Sequence, residues 1–478
     1  MPLRTPDQYI QSLRDGRDVW FRGQRVPDVT EHPVIRKAVE HGAIDYRMAE
    51  SKRFGRLAVV NENDQAYSRY YKIPQSAEDL LLRSNLIEAA TAEGHTLVVL
   101  IKEIGTDALF ALLAVTSQME DPVYHARVRA YYEKCRDQDL ALATAQTDVK
   151  GDRVRRPAAQ ADPDLYLRVV ERRDDGVVVR GAKIHTSATT NVNEVIVLPT
   201  RAMEAGEADW SIAFALPVNT PGVKLFTSPF GDGPAQPGER PISARHKMME
   251  TMTVFDNVFV PNERIFLDGD TRRAGELALT FVEYHRFTAI SYKLPLVDAM
   301  VGAAATIADY NGIAKATHVR DKFISLIAYA ETLRALTQKA AERPATKPNG
   351  QVAPDPLMVN MAKSHFAHGY HTAVQHLQEL AGGLLVTGPG DEDWNSAEMR
   401  GYLDKYLVGR DGVSAEKRMQ MMNFIRDLTA SDYGAYQEVL AIHAEGSLEA
   451  EKLQIFRAYT DEGSAGRVMT MARKMAEL

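Results

Sequence analysis

Cysteine is almost absent from this chain: 478 residues contain one, Cys135. An intrachain disulfide framework is therefore excluded. So is any site needing several thiolates from one chain, whether an iron–sulfur cluster or a Cys-ligated zinc. Blocks of like charge are missing too. The 57 Lys and Arg are interspersed with 64 Asp and Glu for a formal net charge of −7, which leaves no basic stripe for nucleic-acid phosphates. No uninterrupted apolar run reaches the ~18–20 residues of a membrane span, and the opening MPLRTPDQYIQSLRDGRDVW has no signal-peptide core. There is no G-x-G-x-x-G with a following acidic residue, so a Rossmann nicotinamide site is not supported. These absences predict a soluble, reduced, cytoplasmic protein with neither nucleic acid nor membrane as a partner.

What is present is ordinary globular material, 45% hydrophobic and 25% charged, enough for several structural units. Residues 1–140 read as an N-terminal helical domain. Within it, SAEDLLLRSNLIEAATAEG carries a helical apolar period with Ser76 placed to start it, and VWFRGQRVPDV reads as a hairpin turning at Gly23. Residues 141–270 change character. LYLRVVERR, GVVVRGAKI, NEVIVLP, SIAFALP, GVKLF and TMTVFDNVFVP are short and rich in Val, Ile, Thr and Phe, and Asp175-Gly176 supplies a hairpin signal between the first two. This predicts a central antiparallel β domain. Inside it, the Gly/Pro-dense 228–247 stretch reads equally as a substrate lid or a passive excursion. From 271 to 478 long Ala/Leu-rich helical periods return, stopped once by Gly382-Gly383. The order helices, strands, helices is an α+β chain.

Two segments carry chemistry. Thr144-Ala145-Gln146-Thr147, followed by Lys150-Gly151-Asp152-Arg153, offers hydroxyl and backbone donors at the start of the β domain. Gly-x-Lys-x-x-Thr-Ser, ending at Ser187, follows about thirty residues later. Such fixed donors suit the edge of an isoalloxazine ring, whose charge must be tuned as it is reduced and reoxidised. Each segment alone reads as readily as ordinary turn chemistry. His365, His368, His371 and His376 lie on one helical stretch but have no accompanying carboxylate or cysteine framework, and imidazoles three residues apart drift around a helix. No metal site is expected. Met419, Met421 and Met422 read as packing residues.

The layout and these segments resemble the acyl-CoA dehydrogenase-like flavoprotein fold. Within it, the chain resembles the family that joins 4-hydroxyphenylacetate 3-hydroxylases and 4-hydroxybutyryl-CoA dehydratases. The resemblance is carried by TPDQYIQSLRDGRDVWFRGQRVPDVTEHPVIR, DPDLYLRVVERRDDGVVVRGAKIH, VFDNVFVPNERIFL, EYHR, GAAATIADYNG, LAGGLLVT and HAEGS, with wording nearer the dehydratase branch. It implies FAD, usually in a homotetramer. FAD would be gripped by residues matching Thr144–Gln146, Lys150–Arg153 and Ser187, with Glu445, Gly446, Ser447 and Leu448 a further contact.

The departures from the family are as informative. The dehydratase branch holds a [4Fe–4S] cluster on three Cys and one His, and the matching positions are Val99, Glu103, His285 and Tyr292. Only the histidine is kept, so no iron–sulfur cluster is expected. A second dehydratase carboxylate falls on Leu440, while Glu250 matches a glutamate facing the active site. The Arg, Tyr and His with which the hydroxylase branch orients a phenol fall on Lys102, Thr106 and Thr144; Lys102 keeps a charge without the bidentate fork. His285 reads as an acid/base or as a core histidine, Glu250 as an acid/base or an Arg partner, and Tyr292 with Lys293 as substrate contacts or as part of a salt bridge.

The resemblance thus implies a two-component monooxygenase. A separate reductase would supply FADH2, and oxygen would pass through a flavin C4a-(hydro)peroxide to an aromatic or heteroaromatic small molecule, with His285, Glu250, Lys102 and Tyr292 around the substrate. A cluster-less FAD-containing dehydratase or isomerase acting on acyl-CoA is the alternative, and a non-catalytic flavin carrier the third.

Overall fold

The computed structural model describes residues 3–233, 236–461 and 463–478. The chain forms two compact units. The first runs to Asp232 and adds His246–Thr288 and Thr346–Ala353; the second comprises Gly233–Arg245, Ala289–Ala345 and Pro354–Leu478. Pro234 and Ala235, in the middle of the expected lid, lie outside the described residues.

In the first unit, strands β1 (Asp18–Phe21), β2 (Gln24–Val26), β6 (Arg168–Arg173), β7 (Gly176–Ser187), β10 (Val223–Thr227) and β11 (Glu250–Pro261) form one sheet in the order β2-β1-β10-β11-β7-β6. Strands β5 (Leu142–Ala145), β8 (Glu194–Val197), β9 (Ile212–Pro217) and β12 (Ile265–Asp268) form a second, ordered β12-β9-β8-β5. A hairpin, β3 (Val59–Glu62) with β4 (Gln65–Ser68), turns on Asn63 and Asp64, both left-handed. The sheets are not wholly antiparallel. β1 runs parallel to β10, and β5 parallel to β8, because each is brought in by a long connection rather than a hairpin. The β6–β7 turn is Asp174-Asp175, with Gly176 already paired to Arg173. A Cβ at Gly176 would lie 2.2 Å from the Val260 carbonyl, so glycine serves close strand approach there.

The N-terminal helices do not stand apart from the strands. Leu109, Leu112 and Val115 of the Glu103–Thr116 helix and Tyr131, Tyr132 and Cys135 of the Pro122–Asp137 helix share one buried cluster with Leu142, Ile196, Ala213, Phe266 and Phe281. The four-stranded sheet needs an apolar cover, and these helices supply it. Burial pushes the Cys135 thiol far above its ordinary value, so the single cysteine is a packing residue.

The second unit is helical. Helices Thr317–Glu342 and Pro356–Ala381 approach closely at Gly369, where a Cβ would meet the Tyr329 ring at 2.5 Å. The loop residues Ile242 and Ser243 are tied to Asp427 of the Ala415–Ala430 helix by two backbone amides at 2.8 Å each. Among the described residues, one helix, Thr271–Tyr310, is long and apolar enough by composition to cross a membrane. Most of its apolar window, 61%, is buried inside the protein, the mark of a core helix, and Glu283, Arg286 and Lys293 interrupt its sequence.

Candidate active site

The first unit carries two of the expected flavin segments, Thr144–Arg153 and Ser187, while Glu445–Leu448 lies in the second. Ser187, the last residue of β7, is the register partner of Glu250, the first of β11. Its hydroxyl donates to both carboxylate oxygens, at 2.9 and 3.0 Å. Glu250, read in the sequence as an acid/base or an Arg partner, thus accepts from a serine across the ladder. Beside them Thr186, Thr189, Thr251 and Thr253 form a buried hydroxyl cluster, with oxygens 2.5–2.9 Å apart.

The Thr144–Arg153 segment is held against β7 by groups the sequence reading passed over. Lys183 and Asp148 pair at 2.8 Å, both 2% exposed. Lys183 also donates to the carbonyls of Gln146 (2.8 Å) and Leu198 (3.0 Å). Burial lowers the Lys183 pKa, opposed by Asp148. The Thr147 carbonyl accepts from the Ile184 amide, and Thr200 donates to the Gln146 carbonyl at 2.6 Å. Lys183 is the lysine of the Gly-x-Lys-x-x-Thr-Ser segment, to which the sequence alone assigned no partner. Lys150 is half-buried and left-handed, with φ +76°. Burial, then Arg153 and Arg201, lower its pKa. Gly151, Asp152 and Arg153 are exposed.

Thr144 and Ala145 lie on β5, the edge strand of its sheet, so one row of backbone groups has no strand partner. The Thr144 hydroxyl donates to the Ile104 carbonyl at 3.1 Å. That proximity depends on Gly105, where a Cβ would lie 2.2 Å from Leu142 Cβ.

His285 lies on the Thr271–Tyr310 helix, stacked on Phe281 with centroids 5.1 Å apart and planes 13° from parallel. Its Nδ1 is 3.7 Å from Asp107 Oδ2. The other Asp107 oxygen accepts from Arg83 at 2.8 Å and from Thr288 at 3.0 Å. Asp107 and Arg83 were missed in the sequence, where the clue was a charge inside the apolar run GTDALFALLAV.

Two expectations need correcting. Lys102 does not reach toward an open site: its ammonium donates to Asp139 Oδ1 at 2.6 Å, lies 3.8 Å from the Tyr46 ring centre, and is 1% exposed. It is the cap residue of the Glu103–Thr116 helix, and the cap turns its side chain inward. The Thr106 hydroxyl is likewise used by its own helix, donating to the carbonyls of Lys102 and Glu103. Of the other family positions, Val99 is a buried apolar residue. The buried Glu103 carboxyl accepts from the Lys102 amide, and burial raises its pKa.

Tyr292 and Glu445 belong to the second unit. Tyr292 donates to Glu445, which also pairs with Lys293 at 3.1 Å and with Lys363 at 3.6 Å. Burial pushes Lys293 down to about 8. Glu445 is thus the anion at the centre of a buried network, and Lys293 takes the salt-bridged reading. Gly446 and Ser447 are exposed, and Ser447 caps the Leu448–Asp461 helix by accepting from Ala450. His365 and His368 bond helix carbonyls, of Tyr329 and Ser364. Among the described residues no group of three His, Cys, Asp or Glu is placed to hold a metal ion.

Residues 5–267 match the family described as 4-hydroxyphenylacetate 3-hydroxylase N terminal, and residues 274–473 match its C-terminal counterpart. The chain belongs to the 4-hydroxyphenylacetate 3-hydroxylase family. It is 31% identical, over 95% of its length and 96% of the relative's, to 4-hydroxybutyryl-CoA dehydratase/vinylacetyl-CoA-Delta-isomerase of Clostridium aminobutyricum. It is 28% identical to the 4-hydroxyphenylacetate 3-monooxygenase oxygenase component of Thermus thermophilus, over 91% of this chain and 90% of the other. Among solved structures it matches an archaeal 4-hydroxybutyryl-CoA dehydratase from N. maritimus, with TM-score 0.92, 29% identity, and 100% and 95% of the two chains covered. It also matches the oxygenase component of 4-hydroxyphenylacetate 3-monooxygenase complexed with FAD, with TM-score 0.91, 26% identity and 99% of each chain. Glutaryl-CoA dehydrogenase, at TM-score 0.50 and 17% identity over 81% of each chain, shares the fold alone. The family and the acyl-CoA dehydrogenase-like fold are those the sequence pointed to.

The residues in place fit a flavin. β5 is an edge strand, so among the described residues one row of its backbone groups has no strand partner, and in the same unit the Ser187 hydroxyl directs its proton at Glu250. That combination offers both donors and an acceptor to a ring edge.

Proposed function

We propose that this family member is the oxygenase component of a two-component monooxygenase, using FADH2 delivered by a separate flavin reductase to hydroxylate an aromatic or heteroaromatic small molecule. The observation that carries this reading is the Ser187–Glu250 pair. A carboxylate only accepts, so the Ser187 hydroxyl gives its proton to Glu250 and turns lone pairs outward. An outward acceptor suits a ring position such as N5, which bears hydrogen in the reduced flavin and none in the oxidised one. Bound FADH2 supplies the two electrons that activate dioxygen.

The other roles belong to the chain itself. The β5 edge and Thr147 hold the ring's polar rim, while half-buried Lys150, with Arg153 and Arg201 near it, meets the cofactor's phosphates. His285, whose side chain is 15% exposed, presents an imidazole that holds or moves a proton at the substrate. The relatives named 4-nitrophenol 2-monooxygenase oxygenase component and FADH(2)-dependent monooxygenase support the assignment. A cytoplasmic homotetramer completes the proposal.

The similarity to 4-hydroxybutyryl-CoA dehydratase keeps a second reading in view, a cluster-less acyl-CoA lyase or isomerase with Glu250 as its acid/base. It is the weaker, because this chain has Val99, Glu103 and Tyr292 where the dehydratase branch has its three cysteines, and Leu440 where it has a second carboxylate.

Anaerobic titration of the purified chain with FADH2 and, separately, with FAD tests the proposal. Tighter binding of FADH2, followed by oxygen-dependent hydroxylation of a member of a phenol panel, is expected. Binding of neither flavin removes the reading. Proton exchange at an acyl-CoA α-carbon, abolished by Glu250→Gln, transfers it to the lyase.

A further inference from the structure

Two buried polar atoms in the first unit face each other without a hydrogen-bond partner: His285 Nδ1 and Asp107 Oδ2, 3.7 Å apart. Leaving either unpaired is unfavourable, since a buried polar atom has given up its water without a replacement. Each is the other's complement when Nδ1 carries hydrogen.

The surroundings determine which way this pair works. Asp107 is fully buried, and its second oxygen is occupied by Arg83 and Thr288. Arg83 is fixed in turn by the Tyr70 and Glu103 carbonyls, at 3.0 and 2.9 Å, and by the Thr106 hydroxyl at 2.9 Å. With Oδ1 accepting from a guanidinium and a hydroxyl, Oδ2 is the carboxylate's remaining acceptor, and it is turned to the imidazole. Phe281, stacked on the imidazole, limits its rotation. Asp107 cannot itself meet substrate, since its side chain is 0% exposed, whereas that of His285 is 15% exposed.

We infer that Asp107 is a positioning residue for His285: it holds the ring as the Nδ1–H tautomer, leaving the Nε2 lone pair as the working base. The logic is that of any buried carboxylate behind an imidazole, which orients the ring, selects its tautomer and supports it once protonated. Arg83 and Thr288 keep the carboxylate aimed. The inference rests on the proposed acid/base role of His285, so its test is separable from flavin binding.

The flavin-free full chain is labelled with 15N in its histidine rings, and long-range 1H–15N correlations are recorded for the native protein, Asp107→Asn and Thr288→Val. His285 is assigned by the signal lost in His285→Gln. The native chain and Thr288→Val should show Nδ1–H with an unprotonated Nε2. In Asp107→Asn the amide donates to Nδ1, so the proton should move to Nε2. An Nε2–H ring in the native chain overturns the inference, as does an unchanged tautomer in Asp107→Asn. If Asp107→Asn does not fold, the native spectrum decides alone. Failure of FADH2 binding with the expected tautomers present rejects the monooxygenase and leaves the Asp107–His285 relationship standing. With a hydroxylated substrate in hand, Asp107→Asn should lower kcat at least about tenfold with flavin affinity within twofold, because a wrong tautomer alters proton transfer rather than binding.

Discussion

Ser187 and Glu250 face each other across the β7–β11 ladder, and the serine hydroxyl donates to both oxygens of the glutamate. The glutamate thereby determines what the serine shows to any ligand beside it. Removing the charge while keeping the shape should reverse that. Glu250→Gln frees the serine proton to point outward, so the preference for FADH2 over FAD should shrink by about tenfold, the size of one charge-assisted hydrogen bond. Ser187→Ala should weaken FADH2 more than FAD. Equal effects on the two redox forms, read by anaerobic titration, would count against the assigned geometry.

Gly105 sets how close the Glu103–Thr116 helix comes to β5. A methyl group there would sit 2.2 Å from Leu142 Cβ and 3.0 Å from its carbonyl oxygen. Gly105→Ala should destabilise the chain by about 1–3 kcal/mol, as overpacking does, and should displace Thr144. The check is a denaturant midpoint together with flavin affinity; native values for both would show that the helix moves aside freely.

His41 supplies a pH test. It is 3% exposed, and burial holds its pKa down to about 4 despite the bond to the Val98 carbonyl. The unfolded imidazole titrates near its ordinary ~6.5, so between about 6.5 and 4 the unfolded chain binds the extra proton. Stability from this group is complete above pH 6.5 and falls with pH through that window, by about 3 kcal/mol in all. Measured against His41→Gln over pH 4.5–7.5, the native chain should show the steeper loss. Parallel curves would contradict this.

Glu445 pairs with Lys293 at 3.1 Å and shares Lys363 with the buried Glu451, at 3.6 and 3.4 Å. Glu445→Gln leaves two buried ammonium groups facing each other with Glu451, and should cost about 3–5 kcal/mol. Lys293→Met added to Glu445→Gln should recover part of that loss. A double variant as unstable as the sum of the two single variants would show that the residues act independently.

The reach of the sequence differs from element to element. β7 and β11 were legible because Val, Ile, Thr and Phe run through them with turn residues at their ends, and the helix starting at Ala77 because Ser76 caps it. β5 was not: Leu-Ala-Thr-Ala is too short and too neutral in propensity to declare itself, and becomes a strand only by lying against β8. Lys102 misled for a related reason, since its role depends on which way a helix cap turns it.

Alone, the sequence carried the family and the fold, and it shows that one chain has a single thiol and two polar segments, near Thr144 and Ser187, of a kind that suits a flavin. Those are questions of which atoms exist. Only the tertiary structure decided which of those atoms face one another. Asp107 and His285 are 178 positions apart and Lys183 and Asp148 are 35 apart, and no local pattern encodes either meeting. Packing of helix on sheet brings them together, because burying apolar faces fixes where the few charged groups among them must find partners.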